Sequence, residues 1–188
     1  MNALQGIEGR VEWSEIAAPS CGQGEIRIRV AAAGLNRADL LQKAGLYPPP
    51  PGASPALGLE CAGVVSEVGA GSTWQVGDRV CALLAGGGMA EEVVVDERHV
   101  LPVPAGLSLA EAAGIPEVYA TAWLNLFQLA ALQPGEKVLL HAGASGVGSA
   151  VGSGVGSAVG DVVGCAVGAG VSWPISTTTS PPRQAVPA

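Results

Sequence analysis

The chain is 188 residues long, 48% hydrophobic, and carries 9 basic against 16 acidic side chains, a net charge of −7. That balance excludes a basic nucleic-acid-binding face and electrostatic attraction to an anionic membrane, and Ala-rich segments account for enough of the apolar fraction that it does not by itself indicate a membrane protein. Cys21, Cys61, Cys81 and Cys165 are widely spaced with no C-x-x-C, which reads as reduced thiols in a cytoplasmic protein rather than a disulfide framework or a zinc site. The first residues, MNALQGIEGRVEW, lack the charged and apolar regions of a signal peptide.

Residues 9–16 and 25–33 read as strands. In the second, Ile26, Ile28 and Val30 alternate with Arg27 and Arg29, the pattern of a half-buried antiparallel strand. Asn36 stands at the N-cap of a short helical stretch that ends near Gly45, a structural role that competes with any chemical one. Tyr47 precedes four prolines at 48–51 and Gly52. Proline fixes φ and lacks a donor, so this loop is stiff; it can hold the ring over a pocket or simply pack it. Glu60 lies in a small, apolar stretch, 57–69, where a carboxylate needs a partner. Residues 64–68 read as a strand, and Gly77-Asp78 as a turn into another. Gly86-Gly87-Gly88 permits a bend before residues 90–95, and 100–104 closes the region. Short strands punctuated by glycine turns indicate a mostly antiparallel, barrel-like domain.

From Ser108 the pattern becomes helical. Ser108-Leu109-Ala110-Glu111 is a capping box, and Pro116 suits the first position of the next helix. Residues 117–132 carry Ala120, Trp123, Leu124, Phe127 and Leu132 at helical spacing and read as a core helix halted by Pro134-Gly135. A first domain therefore covers 1–115 and a second begins at 116–150. Within the second, residues 138–140 form a short aliphatic run that reads as a buried strand. It feeds Gly143-Ala144-Ser145-Gly146-Val147-Gly148, a G-x-x-G-x-G loop. A strand followed by such a loop opens a nucleotide-binding unit: the glycines let backbone amides approach a pyrophosphate, and the next helix aims its N-terminus at the same charge.

By order and spacing, five segments resemble the zinc-independent quinone oxidoreductases of the medium-chain dehydrogenase/reductase superfamily, in particular the p53-inducible quinone oxidoreductase branch. They are the 34–39 segment GLNRAD, the 47–52 segment YPPPPG, the 57–63 segment LGLECAG, the 77–80 segment GDRV and the 141–148 segment HAGASGVG. The resemblance covers about residues 1–150. It implies an α+β and α/β architecture: a GroES-like, mostly antiparallel β-barrel domain followed by the first strand and glycine loop of an incomplete Rossmann domain. It implies NADPH as hydride donor, with NADH not excluded, and a quinone or enone as the small-molecule acceptor. Residues matching Asn36, Tyr47 and Thr121 lie near the nicotinamide and the substrate in that family, and those matching Ala142, Ser145 and Gly148 form its A-x-x-S-x-x-G phosphate loop, which here also contains Gly143, Gly146 and Val147. Zinc-dependent relatives carry Cys where Asn36 stands and His where Leu59 stands, so the resemblance implies no metal. Without a Lewis acid the acceptor must already be electron-poor. Family members are homodimers built largely through the cofactor domain.

After Gly148 the expected helix and ribose-reading strand do not follow. Val recurs at 147, 151, 155, 159, 163 and 167, each followed by Gly. The repeat fits a local duplication in a truncated enzyme, a membrane helix with Gly at every fourth residue, or a flexible linker. Residues 151–188, the repeat and its polar, proline-containing tail, are expected to lack packed structure, which would leave the strand at 138–140 without neighbours. A non-catalytic GroES-like module is the competing expectation for function.

Overall fold

The computed structural model describes residues 1–152 and 162–165. The chain divides into two compact units, Met1–Ala120 and Thr121–Ala188.

The first unit opens with β1 (Asn2–Ile7) and β2 (Arg10–Glu15), paired antiparallel from Asn2↔Glu15 to Ile7↔Arg10. The connecting Glu8 and Gly9 have φ of 48° and 76°, positive at both centres as a type I′ hairpin turn requires. β1 is absent from the sequence reading because only Ala3 in it is buried, so no clean alternation marks it. Five further strands, β3 (Glu25–Ala33), β4 (Glu60–Val68), β5 (Arg79–Leu83), β6 (Glu92–Asp96) and β7 (Val100–Pro102), form one antiparallel sheet in the order β6-β3-β4-β5-β7. The alternation expected for β3 holds. Ile26 and Ile28 are fully buried among Cys61, Val65, Val80 and Val93, each such burial being worth about 1.5–3 kcal/mol. On the other face Arg27 pairs with Glu67 at 2.8 Å and Glu92 at 3.4 Å. The sheet is open rather than a closed barrel: the β1–β2 hairpin meets the rest of the unit through single bridges, Ala3↔Ala90 and Gln5↔Ala56, and not through a ladder.

Helix α1 (Arg37–Lys43) stops in a Schellman motif. Gly45, at φ 74°, donates to the Gln42 carbonyl at 2.9 Å, and Leu46 donates to Leu41 at 2.9 Å. Helix α2 (Leu109–Ala112) has the expected capping box: Glu111 N–H donates to Ser108 Oγ at 3.2 Å, and Ser108 N–H to Glu111 Oε2 at 2.8 Å. Pro116 opens α3 (Pro116–Trp123).

In the second unit the chain continues from Trp123 into a π-helical segment, Leu124–Leu129, where Ala130 N–H bonds the Asn125 carbonyl five residues back. Ala122 and Leu126 are buried instead of Trp123 and Leu124, which are 58% and 50% exposed; Ala120, in the first unit, is exposed as well. Phe127 and Leu132 pack as expected against the cluster of Ala122, Leu126 and Val151. β8 (Val138–His141) is followed by α4 (Gly146–Ala150), and β8 pairs in parallel with β9 (Val162–Cys165), from Val138↔Val162 to His141↔Cys165. The strand expected to stand without neighbours therefore has one, drawn from the Val-Gly repeat. The remaining expectations for 151–188, including the membrane helix, fall outside the described residues; among those described, no helix is long and apolar enough to cross a membrane.

Candidate active site

The site residues named from sequence divide between the units, Asn36 and Tyr47 in the first and Thr121 with the glycine loop in the second. In the first unit everything converges on Asn36. It precedes α1 in extended conformation, φ −115° and ψ 155°, and two buried carboxyl groups hold it. Asp39, 2% exposed, accepts the Asn36 backbone N–H on Oδ2 at 2.7 Å and the Gly58 N–H on Oδ1 at 3.1 Å. Glu60, also 2% exposed, accepts Asn36 Nδ2 on Oε1 at 2.8 Å and the Glu117 N–H on Oε2 at 2.9 Å. Asp39 thus supplies its half of a capping box. The Asn36 amide lies near the Asp39 N–H but makes no cap hydrogen bond with it, that N–H bonding the Asn36 carbonyl at 3.1 Å instead. Glycines make the room. A Cβ on Gly34 would fall on Glu60 Oε1, and one on Gly58, at φ 105°, would strike the backbone of Gly88 and Met89.

The partner that Glu60 needs is therefore Asn36 together with the start of α3. Asp39, Gly34 and Gly58 were not singled out from sequence; the signal available for Asp39 was an Asn followed by Asp three residues on, a capping-box spacing.

Tyr47 follows the α1 stop and is 45% exposed, with Leu46 beside it at 74%. Its ring belongs to none of the buried clusters of the unit. Leu59, where a ligating His would stand, is buried and apolar, and among the described residues no three His, Cys, Asp or Glu side chains are grouped to hold a metal ion. Cys61 and Cys81 are buried small hydrophobes: burial, then Cys81 and then Glu60, push the Cys61 thiol up to about 12, and burial followed by Glu60 raises Cys81. Neither is poised as a nucleophile.

In the second unit the Thr121 carbonyl accepts Asn125 Nδ2 at 2.8 Å. The glycine loop sits between β8 and α4 as expected. Ala142 holds φ 55°, a conformation L residues occupy only under local constraint, and its carbonyl accepts the Ser145 N–H at 2.8 Å. Ser145 Oγ caps α4 by accepting the Gly148 N–H at 3.2 Å. A Cβ on Gly148 would strike the Gly143 backbone, so glycine there is what lets the loop close on itself. The first-turn N–H groups of Gly146 and Val147 have no intrahelical acceptor. These features fit a dinucleotide phosphate.

This architecture defines the class of the first unit. Residues 22–105 match the alcohol dehydrogenase GroES-like domain. Among curated proteins the chain is 45% identical over 141 residues to polyketide synthase GfsB of Streptomyces halstedii, covering 74% of this chain and 2% of the synthase. It is 42% identical over 133 residues to the synaptic vesicle membrane protein VAT-1 homolog of Danio rerio, covering 70% of this chain and 28% of that protein. Among solved structures it is similar to CurK enoyl reductase, with TM-score 0.78 and 35% identity, covering 88% of this chain and 54% of that one. It is also similar to the quinone oxidoreductase of Thermus thermophilus, with TM-score 0.70 and 37% identity, covering 87% and 52%. The chain spans about half the length of these solved structures. Residues 22–105 therefore form a GroES-like domain of the alcohol dehydrogenase type, and the solved structures similar to the chain include enoyl reductases and quinone oxidoreductases.

Proposed function

We propose that the chain is an NAD(P)H-dependent oxidoreductase that reduces a quinone or similar electron-poor acceptor without zinc, in the manner of the p53-inducible quinone oxidoreductase branch. The observation that carries this reading is the Asn36 centre. An amide fixed by two buried carboxyl groups stands where a metal site would need a thiolate, and Leu59 stands where it would need an imidazole. When bound, NADPH would supply hydride; quinone and enone systems accept that charge by conjugation and need no Lewis acid. In this reading the first unit supplies Asn36 as a fixed polar contact and Tyr47 as hydrogen-bond donor to the reduced oxygen, and the second unit supplies Thr121 and the loop from Ala142 to Gly148. The cysteines, read as reduced, support a cytoplasmic setting.

A second reading has a specific observation behind it. The likeness to polyketide synthases and to CurK enoyl reductase favours an enoyl thioester as acceptor, the same conjugate chemistry on an acyl chain. Titrating the chain with NADPH and following nicotinamide fluorescence, then NADPH consumption with an ortho-quinone against an enoyl thioester, separates the two. A saturable titration and turnover that falls on Tyr47→Phe are expected; faster turnover of the thioester would select the enoyl reductase reading. A flat titration from protein shown folded by circular dichroism would sink both and leave a non-catalytic GroES-like module.

A further inference from the structure

Glu60 is a buried acidic side chain for which that reading gives no role. Both of its oxygens accept hydrogen bonds, one from the Asn36 side chain at 2.8 Å and one from the first turn of α3 at 2.9 Å. A carboxylate offers no donor, so the amide end facing it must be Nδ2. The orientation of Asn36 is thereby decided by chemistry and not by a choice between two similar atoms. Its backbone is fixed as well, because Asp39 holds the Asn36 N–H at 2.7 Å. The remaining end of the amide is Oδ1, an acceptor, which lies near the Asp39 N–H without a hydrogen bond to it and so keeps its acceptor capacity.

Resting on the oxidoreductase reading, we propose that Glu60 is a positioning residue: it holds the Asn36 amide in one orientation, so that Asn36 offers the cofactor or acceptor an oxygen and leaves hydrogen-bond donation to Tyr47. Asn36 then selects ligand groups that carry an N–H or O–H, and it does not stabilise a developing oxyanion. Gly34 belongs to the same device, because any side chain there displaces the Glu60 carboxyl group.

The test is a reciprocal exchange in the full chain. Glu60→Gln keeps the volume but leaves one acceptor end and one donor end between two donors, so one hydrogen bond is lost unless the Asn36 amide turns over. Asn36→Asp alone sets two carboxylates against each other. Combined, the two substitutions restore the bond with its polarity reversed, the new amide at 60 donating to the new carboxylate at 36. They return an acceptor oxygen to the outer end and keep the net charge. NADPH affinity by nicotinamide fluorescence and the thermal midpoint are measured for all four proteins. Each single substitution is expected to weaken NADPH binding by about tenfold or more, and the double variant to recover to within a few-fold of wild type, with the midpoint recovering in parallel.

Recovery of the midpoint with affinity left at the single-variant level would overturn the proposal, since Glu60 would then be structural alone. Wild-type affinity in Glu60→Gln would overturn it too. A wild-type chain that is folded yet gives a flat NADPH titration would fail the oxidoreductase reading itself. Midpoint coupling between 36 and 60 in that same protein would show that the hydrogen bond is present, which separates the two failures.

Discussion

Replacing Gly34 with alanine should be among the most damaging single-methyl additions in the first unit. The built Cβ overlaps Glu60 Oε1 and lies 2.5 Å from Cδ and 2.7 Å from Cγ of the same side chain, so turning only the tip of Glu60 does not relieve the clash. The carboxyl group must leave its place, parting from Asn36 Nδ2 and the Glu117 N–H. A buried polar group separated from its partner costs about 1–3 kcal/mol. Two such separations, less the ~0.4–1 kcal/mol that Gly→Ala returns by restricting the unfolded chain, give a net loss of about 3 kcal/mol.

Two other glycines isolate the cause. Gly45→Ala meets nothing within 4 Å but must hold φ 74°, which costs about 1–2 kcal/mol. Gly114→Ala meets nothing within 4 Å and has no positive φ, so it should be neutral or slightly stabilising. Urea unfolding followed by far-UV circular dichroism, with the slopes checked for constancy, should rank the losses Gly34, Gly45, Gly114. A Gly34→Ala protein within about 0.5 kcal/mol of wild type, the ordinary range for a surface change, would refute the packing argument.

Glu8→Asn should raise the thermal midpoint, because Glu8 holds φ 48° in the hairpin turn and Asn tolerates that region at about 0.5–1 kcal/mol less strain; an unchanged or lower midpoint would count against the I′ turn. Alkylation of native protein at pH 8 followed by peptide mapping should find Cys61 and Cys81 unreacted, as their thiols are buried and raised, and prompt labelling of either would contradict this. For Cys61 the folded value of about 12 lies above the ordinary 9.0, so its stabilising contribution is complete below pH 9 and lost as the pH rises toward 12; Cys61→Ala should flatten that alkaline limb in urea midpoints. At the other extreme, Asp96 is held below the usual carboxylate range by Arg98, and Glu111 by Ser108. Their contributions are complete at neutral pH and disappear as the pH falls through about 4 and below, so the double variant Asp96→Asn, Glu111→Gln should show a shallower acid limb, and an unchanged slope would argue against these contacts in solution.

What the sequence made legible was local. The alternation of β3, the S-x-x-E box of α2, the Gly45 stop of α1 and the glycine loop after β8 each depend on residues within a few positions of one another, and each is present. What it hid came from register. Trp123 and Leu124, which the helical spacing places in the core, face outward, and Ala122 and Leu126 are buried in their place. β8 finds its parallel neighbour in a repeat whose composition carries no strand alternation.

Glu60 shows how far such a reading can reach. A lone acid in an apolar run announces that partners exist, but its two donors lie 24 and 57 residues away, and no spacing rule finds them. The reason they are there is physical. Helix α3 begins at Pro116, which has no N–H, and the residue before it, Ile115, has no side-chain oxygen to cap the turn. The first N–H able to donate belongs to Glu117, and an acceptor has to come from elsewhere in the fold. Glu60 is that acceptor, favoured there by the positive end of the helix. The same carboxyl group holds the Asn36 amide, so the cap of one helix and the orientation of the candidate site residue at the head of another rest on a single side chain. A substitution at Glu60 that removes both oxygens should therefore disturb both together, whereas the reciprocal exchange with Asn36 keeps an amide oxygen for the Glu117 N–H and an amide N–H for the residue at 36, so it can restore both.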